Sequence, residues 1–551
     1  MKTVVIGGVA GGASAAARLR RLDEKADIIL LERGEYISYA NCGLPYFIGG
    51  EITDKEELTL QTPQSFRNRF AVDVRIRQEA ITIDPARKIV LVRNLENGKD
   101  DEECYDKLIL APGAEPVRPP LPGIEDARIF TLRTIPDTYR IQEHIQNARP
   151  KTVVIVGGGF IGLEMAENLV RKGIQVTVVE SADHVIGPLD YDMACEVHRY
   201  LLQEGVKLLL GCAVKAFHPD EALLGVELAN GGILHADMVL MSVGVRPDTG
   251  LAKSAGLETN ARGALLVDEH MRTSNEHIYA VGDAVEVTHL VSKGPAYIPL
   301  AGPANKQGRI AADHICGLDS RYKGSQGSSI LKLFDMTVAS TGLNESGAKA
   351  AGLDFDKIHT YSASHATYYP GASNISMKTL FDRKTGHILG AQLIGFEGVD
   401  KRCDVLATAI RAGMTAYDLA ELELCYAPPF SSAKDPVNMV GFAIENLLTH
   451  KVRQFHWHDV ATARQNANTL ILDVRTDQEY DKGYIPGAVH IPLNVLREKL
   501  SEIDRSKTVY VYCQSGLRSY IACRILFQNG FDCLNLSGGY RFYKIVTEGE
   551  Y

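Results

Sequence analysis

The 551-residue chain lacks the cysteine spacings that are typical of a disulfide framework or a zinc site. Its ten cysteines are scattered, with no CxxC pair and no Cys/His cluster, so we expect reduced thiols in a cytoplasmic protein. The chain also lacks an excess of positive charge. The net charge is −9 and the isoelectric point is about 6.0, which argues against nucleic-acid binding. No apolar stretch has the length of a membrane-spanning helix, so no membrane partner is expected.

The first residues have some features of a secretion signal. Lys2 precedes an uncharged run from Thr3 to Ala17, as in a signal peptide. This run is too rich in glycine for the apolar core of such a signal, and it is typical of a strand, a turn and a helix. We therefore interpret it as the start of a cofactor-binding fold. Because 551 residues exceed one hydrophobic core, several domains are expected.

Two segments of the chain, 3–33 and 152–180, share one pattern. Each has an apolar β-branched strand, a glycine-rich turn, an amphipathic helix and a second strand that ends in an acidic residue. This pattern predicts two βαβ units that bind dinucleotides. In the first copy a valine replaces the middle glycine, which would crowd a pyrophosphate unless the backbone shifts. The fingerprint residues are Gly7, Val9 and Gly12 in the first copy, and Gly157, Gly159, Gly162 and Glu180 in the second.

With the segment TSNEHIYAVGDAVE (273–286), these fingerprints resemble the glutathione-reductase-like family of two-dinucleotide flavoproteins. The resemblance covers residues 1–445. It implies FAD in the first fold and NAD(P)H in the second, with Glu180 favouring NADH and the nearby Ser181 and Arg171 leaving NADPH as an alternative. Phe160 is expected near the nicotinamide channel. The further FAD contacts that the resemblance implies are Ala10, Glu32 at the adenosine ribose, Arg33, Asp283 at the ribityl chain, and Ala301.

The segment SYANCGLPYFIGG (38–50) contains a single cysteine, Cys42, and the next cysteine is Cys104. Dithiol members of the family carry two cysteines a few residues apart here. The lone cysteine is similar to coenzyme A-disulfide reductases and NADH-dependent persulfide or polysulfide reductases. Asn41 and the following turn are expected to place Cys42 at a helix start, where amide groups and the helix dipole favour a thiolate. The alternative is a buried, inert cysteine.

Two tyrosine-bearing segments fit the same resemblance. They are HATYYPGA (365–372) and CYAPPFSSAKDPVN (425–438). The resemblance implies that Tyr368 and Tyr426 reach the active cysteine and flavin from the partner subunit of a homodimer. A tyrosine beside prolines is otherwise more often a packed core or loop residue.

The last hundred residues resemble a single rhodanese domain. The resemblance rests on DVRTDQEYDKGYIPGAVHIP (473–492) and on the loop CQSGLRS (513–519). Backbone N–H groups of such a loop converge on the sulfur of Cys513 and stabilise a thiolate and then a persulfide, while Arg518 adds positive charge. C-x5-R loops also occur in phosphatases, but the DVR and GAxHIP elements favour a rhodanese. No long linker precedes this unit, so we expect it to pack against the body of the protein rather than to be loosely tethered.

Coenzyme A is predicted to bind beside Cys42. The first helix contains Arg18, Arg20 and Arg21, which can attract phosphates although the whole chain is acidic; a solvated basic face is the alternative. Phe70 stands where some relatives have a lysine, so Arg67 or Arg69 is expected to replace that contact. The residues that the resemblance assigns to the coenzyme A channel are Ser14, Arg18, Arg21, Ser38, Asn41, Asn305 and Lys434.

The sequence therefore predicts an α/β chain with two Rossmann-like dinucleotide-binding domains, an α+β dimerisation domain and a C-terminal α/β rhodanese domain. The expected limits are 1–112 with 245–325 for FAD, 113–244 for NAD(P)H, 326–450 for dimerisation and 455–551 for the rhodanese. The expected function is the NAD(P)H-dependent reduction of persulfides, polysulfides or coenzyme A disulfides through Cys42, with sulfane sulfur carried on Cys513. The alternatives are an NADH oxidase or peroxidase that cycles a Cys42 sulfenic acid and a non-catalytic redox sensor.

Overall fold

A computed structural model describes residues 1–549 of the chain. The chain forms two compact units, and each is described by itself. The first unit consists of Met1–Ala182 and Gly205–Gly327, and the second consists of Asp183–Glu204 and the residues from Ser328 onward. Across the described residues, no helix is both long and apolar enough to cross a membrane.

The first unit begins with a five-stranded parallel sheet. Side chains of its central strands alternate between two cores. Val5 and Leu30 pack with the helices on one side, and Val4 and Leu31 pack on the other side with a three-stranded antiparallel sheet. The parallel strands lie in the order Ile278–Ala280, Lys107–Leu110, Lys2–Ile6, Asp27–Leu31 and Asp73–Arg75. The antiparallel strands are Gln78–Asp84, Ile89–Asn94 and Asp100–Cys104, and the helices are Ala10–Leu22, Leu44–Gly49, Pro63–Phe70, Gly250–Ser254 and Ala301–Ile315.

A second parallel sheet of five strands repeats this plan within the first unit. Its strands lie in the order Lys207–Leu209, Gln175–Val179, Thr152–Val156, Met238–Met241 and Ile129–Phe130. Its helices are Ile135–Ala148 and Phe160–Arg171, and an antiparallel sheet of Val214–Pro219, Leu224–Leu228 and Ile233–Ala236 is added to it. Short antiparallel pairs join Ala114–Pro116 to Val245–Pro247 and Val287–Thr288 to Pro295–Ala296. Two parallel sheets of the predicted Rossmann-like kind are therefore present.

The second unit contains an antiparallel and a parallel sheet, each of five strands. The antiparallel order is Ser329–Leu333, Met336–Gly342, Ile388–Gly395, Asn374–Asp382 and Phe355–Ala363. The parallel order is Gln454–Phe455, Cys533–Leu536, Thr508–Tyr512, Thr469–Asp473 and Val489–His490. The helices are Tyr191–Gln203, Glu345–Ala350, Val399–Ala412, Ala416–Glu421, Pro436–Leu448, Val460–Gln465, Asp477–Tyr480, Leu517–Gln528 and Gly539–Thr547. This is the predicted α+β domain followed by an α/β domain.

The two sheets of the second unit are in direct contact. The backbone N–H of His359 donates to Ser537 Oγ at 3.0 Å, and the ring of His359 packs on Phe542 with 4.1 Å between centroids. Gln454 Nε2 donates to the carbonyl of Lys357 at 2.8 Å. The expectation that the last domain is packed rather than loosely tethered is therefore confirmed, and its contacts are with the antiparallel-sheet domain.

Candidate functional site

The first glycine-rich turn has the backbone geometry that a dinucleotide cradle requires. Gly7 has a φ of 98°, and a Cβ there would lie 2.1 Å from the carbonyl oxygen of Ala111. Glu32, at the end of the next strand, accepts hydrogen bonds from the N–H groups of Gly8 at 2.9 Å and Gly34 at 2.8 Å. The turn and the acid are thus fixed together, which orients the carboxylate that the sequence assigns to a ribose.

Most of the residues predicted to hold FAD meet in one cavity of about 420 Å³. A neighbouring cavity of about 370 Å³ shares Gly7, Glu32 and Arg33 with it. Gly12 lies buried behind the turn, and Ala301 begins a helix; neither lines these cavities. The residues predicted to hold FAD that line the larger cavity are Gly7, Val9, Ala10, Glu32, Arg33 and Asp283. Asn41, which was predicted for the coenzyme A channel, also lines it.

The polar lining of the cavity is compatible with a bound dinucleotide. Asn41 Oδ1 is buried and has no hydrogen-bond partner among the described residues, so a ligand donor would satisfy it. Asp283 lines the same cavity, and burial raises its pKa. Arg133 lines the same cavity and was missed in the sequence, because it lies outside every recognised motif.

The second glycine-rich turn reproduces the first. Gly157 has a φ of 107°, and a Cβ there would lie 2.4 Å from the carbonyl oxygen of Ser242. Glu180 accepts from the N–H of Gly158 at 2.7 Å and from that of Ala182 at 2.8 Å. A Cβ on Gly159 would meet no protein atom within 4 Å, so the space beside the middle glycine is open to a ligand.

Cys42 lies in a short 3-10 turn, Asn41–Gly43, directly before the helix Leu44–Gly49. The residue is exposed. Partial burial of its thiol raises its pKa, and the carboxylates of Glu164 and Asp283 raise it further. Burial and the two nearby acids therefore oppose the thiolate that the helix start was expected to favour.

Glu164 is a second ionisable group near Cys42 that the sequence did not reveal. It lies on the helix Phe160–Arg171, which packs against the helix that follows Cys42: a Cβ on Gly49 would collide with Asn168, one turn beyond Glu164. Burial raises the pKa of Glu164 to about 7, with Glu167 contributing. Burial and both acids also raise the pKa of Tyr46 to about 12. The position of Glu164 four residues after Phe160, on the same helix face, was the available signal.

Several residues predicted for a coenzyme A channel lie on or beside the first helix. Ser14 and Asn305 meet, with Ser14 Oγ donating to Asn305 Oδ1 at 2.5 Å, and Arg21 is exposed. Arg18 instead pairs with Asp313 at 2.6 Å. Arg20 is buried and donates to the carbonyls of Phe70, Ala71, Asp23 and Glu24. Arg18 and Arg20 thus have partners within the chain, whereas Arg21 contacts no acid among the residues that the structure describes, so the first helix offers one cation to a phosphate rather than three.

The other residues predicted for coenzyme A contacts lie elsewhere in the chain. The N–H of Ser38 donates to the carbonyl of Gly8 at 2.8 Å, which places Ser38 beside the first turn. Arg67 donates to the carbonyl of Val74 at 2.6 Å, while Arg69 is exposed. Lys434 is an exposed residue of the second unit.

Tyr368 and Tyr426 come together within the second unit. Their hydroxyl oxygens lie 2.8 Å apart, and 74% and 48% of the two residues are exposed. Arg402, which is buried, connects the two loops that carry them. Its guanidinium donates to the carbonyl of Ser364 at 3.0 Å, to Ser431 Oγ at 3.0 Å and to Asp435 Oδ2 at 2.8 Å. The sequence did not identify Arg402, because its partners are distant along the chain.

Cys513 lies at the end of the strand Thr508–Tyr512, buried under its own loop. Its Sγ accepts hydrogen bonds from the N–H of Gly516 at 3.2 Å and from Ser519 Oγ at 3.3 Å. These donors suit a sulfur anion. Arg518, on the following helix, forms a bidentate ion pair with Glu479, with both N–O distances at 2.7 Å.

Comparison with known families agrees with this architecture. Residues 1–308 match the family of pyridine nucleotide-disulphide oxidoreductases, residues 328–436 match the dimerisation domain of the same family, and residues 457–545 match the rhodanese-like domain. The phosphatase reading of the Cys513 loop is thereby replaced by the rhodanese reading.

Individual proteins are similar over most of the chain. Coenzyme A disulfide reductase of Staphylococcus aureus (strain bovine RF122 / ET3-1) is 35% identical over 442 residues, which cover 80% of this chain and 99% of that protein. The crystal structure of reduced Bacillus anthracis CoADR-RHD superposes with a TM-score of 0.98 at 47% identity, covering 99% of this chain and 98% of that one. The NAD-dependent persulfide reductase from A. fulgidus gives a TM-score of 0.92 at 39% identity, with 98% and 100% covered.

Proposed function

The chain belongs to the pyridine nucleotide-disulphide oxidoreductase family, and we propose that it reduces persulfides, polysulfides or coenzyme A disulfides with electrons from NADH. One observation carries the proposal. A single chain combines a lone Cys42 next to a dinucleotide cradle with a Cys513 whose sulfur is held by two hydrogen-bond donors. The coenzyme A disulfide reductase and the persulfide reductase similar to this chain support the same substrate class.

We assign the two dinucleotides that the family uses to two separate sets of residues in the chain. FAD fits the cavity lined by Gly7, Val9, Glu32 and Asp283, and bound there it supplies a two-electron relay between NADH and the sulfur substrate. NADH is assigned to the turn at Gly157–Gly162. Glu180 there is an acceptor for the ribose hydroxyls and repels a 2′-phosphate.

Cys42 performs the sulfur chemistry. Its thiolate attacks the outer sulfur of a persulfide, so that R–S–S⁻ and Cys42–S⁻ give R–S⁻ and Cys42–S–S⁻. Two electrons that originate from NADH and one proton then release HS⁻ and restore the Cys42 thiolate. The covalent intermediate divides one difficult reduction into two easier steps. With a coenzyme A disulfide, Cys42 attacks one of the two sulfurs and forms a mixed disulfide instead.

Coenzyme A is proposed as a substrate group next to Cys42. Arg21 supplies positive charge for its phosphates, since Arg18 and Arg20 have partners within the chain. Ser14, Ser38, Asn41 and Asn305 provide the polar contacts, and Lys434 is a further candidate.

The chain is proposed to act as a homodimer in the cytoplasm. The dimerisation-domain match supports the dimer, and we propose that Tyr368 and Tyr426 face Cys42 of the partner subunit. The ten cysteines all lie among the described residues and are not joined in disulfides, as a reducing compartment allows. We retain the four domain ranges predicted from the sequence as proposed boundaries.

Cys513 is proposed to carry sulfane sulfur as a persulfide. A carrier joined covalently to the reductase raises the effective concentration of that sulfur for the flavin site. This makes inorganic or carrier-bound sulfane sulfur a better substrate than coenzyme A disulfide alone.

The decisive experiment compares substrates side by side. Anaerobic NADH oxidation by the purified flavoprotein is measured with polysulfide, coenzyme A persulfide and coenzyme A disulfide. We expect turnover with at least one of them, well above that with hydrogen peroxide. Turnover with oxygen or peroxide alone would contradict the proposal and favour an oxidase or peroxidase.

A further inference from the structure

Arg518 is a cation close to Cys513, and it is already paired with an acid. Arg518 follows the Cys513 loop, and its guanidinium approaches both Cys513 and Glu479. Two parallel hydrogen bonds of 2.7 Å join it to the Glu479 carboxylate. This fork-to-fork geometry is the strongest arrangement of an arginine and an acid. The pair is about one-third exposed, and its net charge is zero.

Glu479 does not depend on Arg518 for its position. It is the fourth residue of a capping box whose first residue, Thr476, is the N-cap. The N–H of Thr476 donates to Glu479 Oε2 at 3.0 Å, and Thr476 Oγ1 donates to the same oxygen at 3.1 Å. The carboxylate is therefore a fixed acceptor to which Arg518 is drawn, rather than a mobile counterion.

Two other arginines near the loop are also engaged. Arg475 is buried and pairs with Asp473 at 2.6 Å. Arg541 follows the residue whose N–H bonds to the Cys513 carbonyl, and its guanidinium stacks over the ring of Tyr361 at 4.7 Å. Gly516 and Ser519 are neutral donors to the sulfur, and the Arg518 guanidinium that approaches it is shared with Glu479.

We propose that Glu479 is a positioning residue that sets the donor specificity of Cys513, by neutralising Arg518 and so favouring a persulfide over the thiosulfate dianion. Both reactions form the same product. A persulfide reacts as Cys513–S⁻ + R–S–S⁻ → Cys513–S–S⁻ + R–S⁻, and thiosulfate reacts as Cys513–S⁻ + S–SO₃²⁻ → Cys513–S–S⁻ + SO₃²⁻. The second brings a dianion against a thiolate, and an unpaired cation would be needed to offset that repulsion. This inference rests on the proposed sulfur-carrying role of Cys513.

The test measures sulfur transfer to cyanide without NADH in the full chain with Cys42→Ser, so that only Cys513 contributes. Cyanide removes the sulfur as Cys513–S–S⁻ + CN⁻ → Cys513–S⁻ + SCN⁻. The donors are glutathione persulfide and thiosulfate, with the rate of a Cys513→Ser variant subtracted. Glu479→Gln, which keeps the capping acceptor, should raise the thiosulfate-to-persulfide ratio of kcat/KM by about tenfold as Arg518 becomes available.

Two further variants separate this effect from general damage. Asp477→Asn removes the same charge from the same helix, but Asp477 is 85% exposed and does not pair with Arg518, so the ratio should stay unchanged. Glu479→Gln combined with Arg518→Gln should return the ratio to the wild-type value. An unchanged ratio in Glu479→Gln, with persulfide turnover intact, overturns the specificity role alone. The absence of any Cys513-dependent transfer in the parent chain overturns the sulfur-carrying role and this inference with it.

Discussion

The hydroxyl oxygens of Tyr368 and Tyr426 lie 2.8 Å apart at the surface of the second unit, although 58 residues separate them in the chain. Both side chains are largely exposed. Two loops are thus fixed so that a pair of phenol groups projects from one place. Exposed aromatic side chains held in this way are typical of a surface that meets a partner.

Arg402, which connects the two loops that carry these tyrosines, should be sensitive to mutation. Arg402→Met leaves the buried Asp435 carboxylate without its main partner, and breaking a buried ion pair typically costs about 3–5 kcal/mol. We expect a lower thermal midpoint and weaker dimerisation, measured by calorimetry and sedimentation. Arg383→Met is the control, because its pair with Asp354 is more than half exposed. Equal effects of both substitutions would contradict the anchoring role.

Cys42 should be essential for reduction but not for flavin binding. Cys42→Ser is expected to lose polysulfide-dependent NADH oxidation and to remain yellow, because the FAD cradle does not depend on the thiol. Cys104→Ser, at another exposed cysteine of the same unit, should keep full activity. More than about a tenth of wild-type turnover in Cys42→Ser would exclude the single-thiol mechanism.

Glu180 should determine the choice of nucleotide. The wild-type enzyme is expected to prefer NADH, because the fixed carboxylate repels a 2′-phosphate. Glu180→Gln keeps an acceptor for Gly158 and removes the charge. It should raise the NADPH-to-NADH ratio of kcat/KM by about tenfold, which corresponds to about 1.4 kcal/mol. Equal efficiency with both nucleotides in the wild-type enzyme would contradict this reading.

The reactivity of Cys42 should depend on the charge of Glu164. With a pKa of about 7, Glu164 is neutral below that pH and negative above it, and the negative form opposes the Cys42 thiolate. Alkylation of Cys42 by iodoacetamide, followed by mass spectrometry, should therefore have a midpoint above the pH at which an ordinary cysteine ionises. Glu164→Gln should move the midpoint to lower pH, and Glu51→Gln, at an exposed acid, should not. A midpoint that stays or rises in Glu164→Gln would rule out this coupling.

Arg21 should matter only for coenzyme A substrates. Arg21→Ala is expected to raise the KM for coenzyme A persulfide severalfold and to spare inorganic polysulfide, because an exposed charge-assisted contact contributes about 1 kcal/mol. Lys25→Ala, at an exposed lysine shortly after the same helix, is the control. Calorimetric titration with coenzyme A gives the independent measurement. Equal affinity of wild type and Arg21→Ala, or no binding to either, would exclude the proposed channel.

The sequence predicted the parts of the site whose geometry is local. Gly7 and Gly157 must adopt positive φ in tight turns, and Glu32 and Glu180 must end the next strand. Each of these requirements is met within one βαβ unit, so residue type and spacing reveal it. The cysteine loop at Cys513 is also local, since its two sulfur donors lie within six residues.

Only the tertiary structure decided which charges remain available. Arg18 pairs with Asp313, which lies 295 residues away, and Arg518 pairs with Glu479 of the helix Asp477–Tyr480, 39 residues away. Glu164 approaches Cys42 because two helices pack together. The pKa of a group and the partner of an ion pair depend on burial and on through-space distance. The sequence by itself therefore determined the backbone cradles and the positions of the two cysteines proposed to react, whereas packing determined the electrostatics around them.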